Sequence, residues 1–552
     1  MASVAQPEPP PASQALPSLR EVLIHRQSDS FSEALIYFMV VFSPWAFGTT
    51  QWWGIWTMNV CGYLLGLLLT IKCIIRRWRG HQAERWDSNL ESSYGSNQNP
   101  LLRWTRTLTI LLAVLTVAIL GYCLVAGLNA RSAYDRLRMD FIYHSFVSWL
   151  PHSYDRSQSL QSFANYLAIA CFFWAVRDWL LGKTAAEIRS ARLADTRTTD
   201  GAGSENRSSR RRQDAESDRK TEDFSASLPR RLLPVQNHSL RSPLPGRLKR
   251  LFWVLSVNGA LLGIEGIVQR LSGTGKPLWL LQMKINAIAD AQFGPYGYRS
   301  NAAQYFNLLW PAALGFWWIL RREARRVRAR EQLTRSKRDH WLLPCTLIMA
   351  ACPIISGSRG GAFIALATLG MAALILLASE KRRHPSVKFG LLLLFGAAIA
   401  IGLYFGWDLL NERLKDTEQG YVQRESMYET ARQIARDYPL FGTGPGSFEA
   451  VFQLYRSSPE EYWPAQLHND WLETRVTFGW MGSAFIALAL AAVLARWFLP
   501  GGLRANWRLV SLLWVALAGC LLHARFDYPM QIYSTLLLFV LLCSILFTLS
   551  RR

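Results

Sequence analysis

The sequence predicts an all-α membrane protein with about twelve transmembrane helices. Apolar runs of about 17–25 residues recur along the chain, and each is long enough to cross a hydrocarbon core about 30 Å thick. Of the 552 residues, 50% are hydrophobic, and they include 23 tryptophans and 27 phenylalanines. Helices of a soluble protein are shorter and carry one polar face, which these runs lack.

The predicted spans begin near Ala34, Trp53, Leu108, Leu160, Leu251, Ala302, Trp341, Gly360, Val387, Phe478, Arg508 and Ile532. For residues 341–379 the alternative is a single broken hairpin, because the segment at 356–361 leaves few residues for a turn. The spans divide the chain into a disordered tail (1–33), helices one to four (34–181), a disordered basic insert (182–250), helices five to nine (251–407), a large outer loop (408–477) between helices nine and ten, and helices ten to twelve (478–552). The Pro- and Ser-rich first thirty residues have no apolar segment, so we expect no cleavable signal peptide.

The net charge of +22 is distributed as the positive-inside rule requires. Lysines and arginines are concentrated at residues 72–106, 183–250, 321–338, 381–388, 496–508 and 551–552. With about twelve spans, all of these segments lie on the side of the N-terminus. Both termini are therefore predicted to be cytoplasmic, and the charge serves topology rather than nucleic-acid binding. The eight cysteines lie in or beside spans and lack metal-ligand spacing, so we expect buried, unpaired thiols.

The outer loop contains a predicted amphipathic helix at residues 422–438. Its apolar positions follow helical spacing and are Met427, Tyr428, Ala431, Ile434, Ala435 and Tyr438. Pro439 ends this helix, and the glycine-rich segment at 442–446 is predicted to be a turn. It is not a nucleotide-binding loop, because no strand precedes it and no Lys-Ser/Thr pair follows.

His468 is the candidate catalytic residue. Topology leaves four histidines on the outer side, namely His144, His152, His468 and His523. Of these, His468 alone lies in a long loop with several arginines, immediately before a span. A neutral imidazole there can accept a proton from an attacking hydroxyl. The alternative is an ordinary interfacial histidine that caps the following helix.

Two arginines are candidates for binding an anion. Arg359 lies at the end of an apolar span within a Ser-Gly-Ser-Arg-Gly-Gly segment, where a permanent charge is costly unless it faces a polar cavity or an anion. Arg424 begins the amphipathic helix, with Tyr428 and Arg432 on roughly the same side. Converging arginines predict a phosphate or pyrophosphate ligand. The alternatives are a snorkelling Arg359 and a solvated Arg432. No carboxylate pair in the outer loops has the pattern of a metal site. Glu460 and Glu461 are at best a weak candidate, so we expect no metal.

Several motifs together resemble the O-antigen ligase and polymerase family. They are GPYGYRSNAAQY at 294–305 followed by LWP at 309–311, SRGG at 358–361, Arg424 with PLFGTGPGSF at 439–448, HNDWL at 468–472 with glycines at 479 and 482, and HARFDYP at 523–529. Each piece is weak alone, and their order and spacing carry the resemblance. One departure is Arg299-Ser300-Asn301, where many members read Arg-Asn-His. The long basic insert is also unusual for the family.

The resemblance implies a GT-C-like glycosyltransferase at the periplasmic face of the bacterial inner membrane. Its donor would be a glycan on undecaprenyl pyrophosphate, and its acceptor a hydroxyl of lipid A-core or of another glycan. His468 would then be catalytic, Arg359, Arg424 and Arg299 would bind the donor pyrophosphate, and no cofactor is expected. The supporting residues would be Asn301, Tyr305, Tyr428, Gly444, Asn469, Asp470 and Asp527.

Two other functional classes stay open at this stage. A secondary transporter of about twelve helices should have broken helices in two corresponding halves and ionisable groups near mid-membrane. Here the polar residues gather at one face, which favours an enzyme. A non-catalytic component of polysaccharide export would need neither His468 nor Arg359.

Overall fold

The computed structural model describes residues 19–78, 84–87, 100–190, 244–283, 285–331, 338–379, 385–415, 417–455, 465–499, 503–504 and 506–550. Its helices are α1 (Leu19–Trp45), α2 (Trp52–Trp78), α3 (Pro100–Leu128), α4 (Arg156–Leu181), α5 (Gly246–Ser272), α6 (Arg299–Glu331), α7 (Leu342–Ile355), α8 (Arg359–Ser379), α9 (Pro385–Lys415), α10 (Thr417–Asp437), α11 (Phe448–Tyr455), α12 (Asp470–Arg496), α13 (Trp507–His523) and α14 (Tyr533–Thr548). The predicted disorder of residues 1–18 and of residues 191–243 falls outside the described residues.

The all-α membrane fold is confirmed. Each predicted span coincides with a different helix, which gives α1 to α9 and α12 to α14. Residues 341–379 form two helices, α7 and α8, rather than one element. Among the described residues, seven helices are long and apolar enough to cross a membrane, and three shorter ones are also apolar. The exact number of crossings stays a prediction.

Three boundaries differ from the sequence-based division. In the expected disordered insert at 182–250, residues 185–190 are helical and α5 begins at Gly246. Residues 19–33, expected in the disordered tail, form the first turns of α1. This polar segment is ordered because Asp29 and Glu33 form ion pairs with Arg247 and Arg250 of α5. The expected outer loop at 408–477 also includes the end of α9 and the start of α12. A helix continues beyond an apolar run when tertiary contacts hold its polar turns, and hydropathy alone does not register this.

The described chain also contains short strands that were not predicted. β1 (Ser132–Asp135) and β2 (Asp140–Tyr143) form an antiparallel hairpin in the loop between α3 and α4, and β3 (Leu503–Arg504) pairs in parallel with β4 (Leu549–Ser550). These strands have two to four residues each. Such short pairings leave no period-2 pattern long enough to distinguish in the sequence.

Helix α6 lies at the centre of the bundle. It packs against α5, α7, α8, α13 and α14, and every residue from Ser300 to Ile319 is buried. A helix that is apolar all round belongs in the interior, as this sequence does up to its cationic end. The first residues of α6 are thereby fixed by the whole bundle. This matters because they lie beside the candidate site.

The predicted amphipathic helix is present as α10, which covers one end of the bundle. Its residues Tyr428, Ala431, Ile434 and Ala435 are buried in one cluster. The cluster also contains Tyr154, Phe448, Val451, Phe452, Leu467 and Val476, which come from the α3–α4 loop, from α11 and from the chain around His468. Hydrophobic burial thus fixes α10 and the segment before α12 against each other.

The glycine-rich turn supports an interrupted helix. Helix α12 breaks at Gly479, whose φ of 60° and ψ of −166° are not helical. The backbone N–H groups of Trp480 and Met481 donate to the carbonyls of Pro439 and Leu440, at 2.9 and 3.1 Å. In return, the N–H groups of residues 443 and 444 donate to the carbonyls of residues 476 and 477. The turn therefore satisfies backbone groups that the break in α12 would leave without partners.

Candidate active site

His468 immediately precedes α12 in a left-handed backbone conformation, with a φ of 56°. This conformation costs a histidine roughly 1–3 kcal/mol, so the surroundings must hold it. The Tyr428 hydroxyl donates to the His468 carbonyl at 2.9 Å, and the Asn469 side chain caps α12 by accepting from the Leu472 N–H at 3.2 Å. The capping role that the sequence left open for His468 thus belongs to Asn469. The imidazole is directed elsewhere.

The imidazole of His468 pairs with the Asp527 carboxylate. Nδ1 lies 3.0 Å from Oδ1 of Asp527, and the two residues are 59 positions apart in sequence. An ionised carboxylate only accepts hydrogen bonds, so Nδ1 carries the proton and Nε2 is the basic nitrogen. The His468 side chain is 26% exposed and therefore accessible, whereas the Asp527 side chain is 5% exposed.

A hydroxyl chain holds the second oxygen of Asp527. Ser300 donates to Oδ2, and Ser358 donates to the Ser300 hydroxyl at 3.2 Å. Burial acts to raise the pKa of Asp527, but the hydrogen bonds from His468 and Ser300 and the nearby imidazoles outweigh burial and lower it. Asp527 is therefore ionised at neutral pH and can stabilise a positive charge that develops on His468.

Tyrosine rings enclose the pair. Tyr298 and Tyr528 stack with their ring planes 5° apart, and the His468 ring lies edge-on to both, with centroids 6.1 Å from Tyr298 and 4.7 Å from Tyr528. Burial is the largest cause of a raised pKa at the Tyr298 phenol, and the Asp527 carboxylate adds to it. Both phenols therefore stay neutral and can donate hydrogen bonds.

All three predicted arginines lie around Tyr298. Arg424, Arg299 and Arg359 each act to lower the pKa of its phenol, against the larger effects of burial and Asp527. The hydrogen bonds agree with this, because Arg299 and Arg359 directly adjoin Ser300 and Ser358 of the hydroxyl chain to Asp527, and Arg424 donates to the carbonyl of Phe526, the residue before Asp527.

Each arginine also anchors a backbone carbonyl at the rim of the site. Arg424 on α10 donates to Phe526 at 3.0 Å, one residue before Asp527. Arg299 and Arg359 are the first residues of α6 and α8, and they donate to the carbonyls of Asp290 and Arg413 at 2.6 and 3.1 Å. The N-termini of these two helices add partial positive charge of their own. The arrangement is suited to an anion with several oxygens.

Asp470 positions the turn that carries Asp527. Its backbone N–H donates to the carbonyls of Ala524 and Asp527, at 2.9 and 3.2 Å, and its carboxylate accepts from the Met530 N–H at 2.8 Å. The segment after His468 is thereby bound to the segment around Asp527. The contacts of Asp470 are to the backbone, and its predicted supporting role stays a prediction.

Three further predicted residues have structural surroundings. Tyr305 is buried in the core, where its ring contacts those of Tyr296 and Phe306. A Cβ on Gly444 would lie 2.4 Å from the Ser153 side chain, so this glycine permits a close approach of two loops. Asn301 is buried in the first turn of α6, next to Ser300. Tyr305 and Gly444 have packing contacts, and their predicted supporting roles stay predictions. Both are buried motif residues, and sequence alone does not distinguish packing from function.

The sequence analysis missed four residues of this arrangement, namely Ser300, Ser358, Tyr298 and Tyr528. All four lie within the quoted motifs, so the signal was present. Their participation depends on bringing together the starts of α6 and α8 with the turn after α13, which no local pattern specifies.

Comparison with known proteins gives one family. The family model described as O-antigen ligase matches residues 344–487. This match, over about a quarter of the chain, supports membership of the O-antigen ligase family. The matched segment contains Arg359, Arg424 and His468, whereas Arg299 and Asp527 lie outside it and join the site through the fold. No curated protein matches the chain. The family implies a glycosyltransferase-like membrane enzyme with a lipid-linked glycan and an acceptor as partners, and its members act in polysaccharide biosynthesis.

Proposed function

We propose that this protein transfers a glycan from an undecaprenyl-pyrophosphate donor to a hydroxyl acceptor at the periplasmic face of the bacterial inner membrane. The observation that carries the proposal is the pairing of His468 with buried Asp527, at 3.0 Å, beside Arg424 and the arginines that begin α6 and α8. The pair supplies a base, and the arginines supply cations for a diphosphate. The distribution of positive charge favours cytoplasmic termini and hence a periplasmic site.

The arginines act on the leaving group. When the bond between the anomeric carbon and the diphosphate oxygen breaks, the electron pair stays with the diphosphate and its negative charge grows. Fixed guanidinium groups bind that charge more strongly in the transition state than in the ground state, and this difference accelerates the reaction. Arg359, Arg424 and Arg299 take this role. Because the leaving group departs as an anion, no general acid is needed, and we expect no metal.

His468 acts on the acceptor. Its Nε2 accepts the hydroxyl proton while the acceptor oxygen forms a bond to the anomeric carbon. The resulting imidazolium is stabilised by Asp527, which keeps the Nδ1 proton in place. Attack opposite to the leaving diphosphate inverts the anomeric centre. The hydroxyl of Tyr428 maintains the backbone conformation of His468 and does not need to touch substrate.

The acceptor is either the core of a lipopolysaccharide, as in a ligase, or a growing glycan, as in a polymerase. A protein acceptor is a further option. These enzymes share the donor, so the site described here is compatible with each. A transporter is less well supported, because the ionisable groups of this site cluster at one end of the bundle instead of at two corresponding broken helices.

A deletion strain tests the proposal. Loss of the gene should shorten surface glycans if the protein is a polymerase, leave core lipid unmodified if it is a ligase, or abolish exopolysaccharide. Complementation with His468→Ala or Arg359→Ala should fail although both variants reach the membrane in normal amount, whereas His144→Ala should complement. Normal glycans in the deletion strain, or complementation by both site variants, would contradict the proposal.

A further inference from the structure

A second cationic site lies at the opposite end of the bundle. A cavity of about 430 Å³ opens between α2 and α4, and its walls are Leu69, Cys73, Arg76, Arg85, Trp174, Arg177 and Asp178. The other end of α4 contacts the glycine-rich turn, where Ser159 donates to the Pro445 carbonyl at 2.7 Å. With a rise of 1.5 Å per residue, Arg177 is about 27 Å from Ser159 along the helix axis. The cavity and the His468 site are thus separated by most of the membrane thickness.

The positive charge of this cavity exceeds the negative charge. Its lining contributes three guanidinium groups and one carboxylate. That carboxylate, Asp178, already accepts from Lys72 at 2.9 Å and from Arg76 and Arg85 at 2.7 Å each. Lys72 also pairs with Asp29 at 3.4 Å and Arg85 with Asp87 at 2.9 Å, and Asp29 is shared with Arg247, so these carboxylates remain outnumbered by the cations once Arg177 is included. Lys72 is fully buried, so water screens this cluster poorly.

Arg177 is the cation of this cavity that is best placed to bind an anion. Its guanidinium lies 5.7 Å from the Trp174 ring and 5.5 Å from the Phe547 ring, and within the described chain its buried Nε has no hydrogen-bond partner. Cation–π contacts with two rings do not replace the hydrogen bond that this Nε lacks. The carboxylates that act on Arg177, Asp87 and Asp178, already form ion pairs with Lys72, Arg76 and Arg85, so an anion entering the cavity would offset the cost of burying this cation.

The rest of the lining indicates an amphipathic ligand. Leu69, Cys73 and Trp174 supply apolar surface beside the three arginines, and Cys73 is exposed at the surface of α2. A free phosphate ion would leave this apolar wall unused. A lipid places its phosphate and its acyl chains in that same arrangement, with the headgroup at the level of interfacial arginine and tryptophan side chains.

We propose that this cavity binds the phosphate headgroup of an anionic lipid from the leaflet opposite the His468 site. The phosphate oxygens accept from Arg177 and Arg76, and the first part of the acyl chains lies against Leu69 and Trp174. The site is independent of glycan transfer and does not rest on the proposed function.

Cys73 provides the readout. All eight cysteines lie within the described residues, and Cys73 is exposed whereas the other seven are buried or half-buried. The purified full-length protein is placed in nanodiscs of phosphatidylcholine with or without phosphatidylglycerol. The rate at which N-ethylmaleimide alkylates Cys73 is followed by mass spectrometry. Phosphatidylglycerol should slow alkylation several-fold because the bound headgroup covers the thiol.

Arginine variants separate binding in the cavity from a general effect of membrane charge. In the same phosphatidylglycerol nanodiscs, Arg177→Gln should weaken protection by about fivefold, since each basic residue near an anionic membrane contributes about that factor. Arg76→Gln should do the same and serves as a second variant if Arg177→Gln folds poorly. Arg77→Gln is the matched control, because Arg77 is exposed, adjacent to Arg76 and outside the cavity, and it should keep full protection.

Equal protection in Arg177→Gln, Arg76→Gln and the wild type would overturn the proposal. A further arm adds millimolar inorganic phosphate to phosphatidylcholine nanodiscs, where no protection is expected. If inorganic phosphate alone protects Cys73 as well as phosphatidylglycerol does, the ligand is a soluble phosphate and the assignment to a lipid is wrong.

Discussion

Replacement of Asp527 by asparagine tests how the base is formed. The substitution keeps the shape of the side chain and removes its charge. Asparagine also offers an N–H₂ donor in place of a carboxylate oxygen. That donor favours the tautomer of His468 in which Nδ1 accepts and Nε2 carries the proton. In this tautomer Nε2 cannot take a proton from the acceptor.

The geometry sets the size of the effect. At the observed 3.0 Å separation of Nδ1 and Oδ1, unit charges in a medium of effective dielectric about 20 attract by about 5.5 kcal/mol, which is an upper bound. Hydrogen bonds to charged groups contribute roughly 1.5–3 kcal/mol net. Because about 1.4 kcal/mol corresponds to tenfold in rate, we expect kcat to fall by about 10- to 150-fold.

The assay measures steady-state turnover by the protein in nanodiscs. The concentration of a purified lipid-linked donor is varied, and the acceptor is in excess. KM for the donor should change little in Asp527→Asn, because the arginines are intact. Ser300→Ala is the matched control: it removes one hydrogen bond to the same carboxylate but keeps the charge, so it should cost about 1 kcal/mol, or about fivefold in kcat. If Asp527→Asn keeps wild-type kcat while His468→Gln is inactive, the imidazole works without the carboxylate and the reasoning above is wrong.

Three more predictions address the surroundings of the pair. Arg424→Gln should lower kcat by about 10²- to 10³-fold, because a fixed donor to developing charge is lost. The guanidinium of neighbouring Arg432 pairs with Glu425, so Arg432→Gln should change kcat by no more than about twofold. Steady-state kinetics with the lipid-linked donor distinguish the two variants. Tyr428→Phe should reduce kcat by about fivefold with unchanged yield of folded protein, since one hydrogen bond to the His468 carbonyl is lost; an unaltered kcat would show that the strained backbone of His468 needs no such support. Gly442→Ala should lower the thermal stability of the purified protein and its yield, because φ is +68° and the new Cβ would lie 2.5 Å from the backbone of Gly479; a melting temperature equal to that of the wild type would contradict this account of the turn.

Much of the fold was predictable because its signals are local. Apolar runs located the helices, and 3.6-residue spacing located the outer helix and the buried face that includes Tyr428. Hydropathy did not identify the segments that are polar and nevertheless ordered. Residues 19–33 look disordered by composition, but their acidic groups pair with arginines more than 200 positions away.

The candidate site was predictable in its charged members and not in its connections. His468, Arg359 and Arg424 stood out because charge near a membrane is costly and therefore informative. The bond from Ser300 to Asp527 joins residues 227 positions apart. It exists because α6 and the turn after α13 meet, and only the packed bundle determines that contact. The same limit applies to Arg177 and its cavity, because the sequence shows Arg76 and Arg85 only as part of the topology signal and Arg177 lies outside its basic segments.

One measurement tests the central claim most directly, namely that the imidazole at the outer end of the bundle transfers the glycan. Purified protein in nanodiscs receives an undecaprenyl-pyrophosphate-linked glycan and an acceptor, and release of undecaprenyl pyrophosphate is followed over time. The wild type and His144→Gln should release it at the same rate, and folded His468→Gln should release it at least 10²-fold more slowly, as loss of a general base predicts. Equal release by His468→Gln and His144→Gln would contradict the assignment of the site.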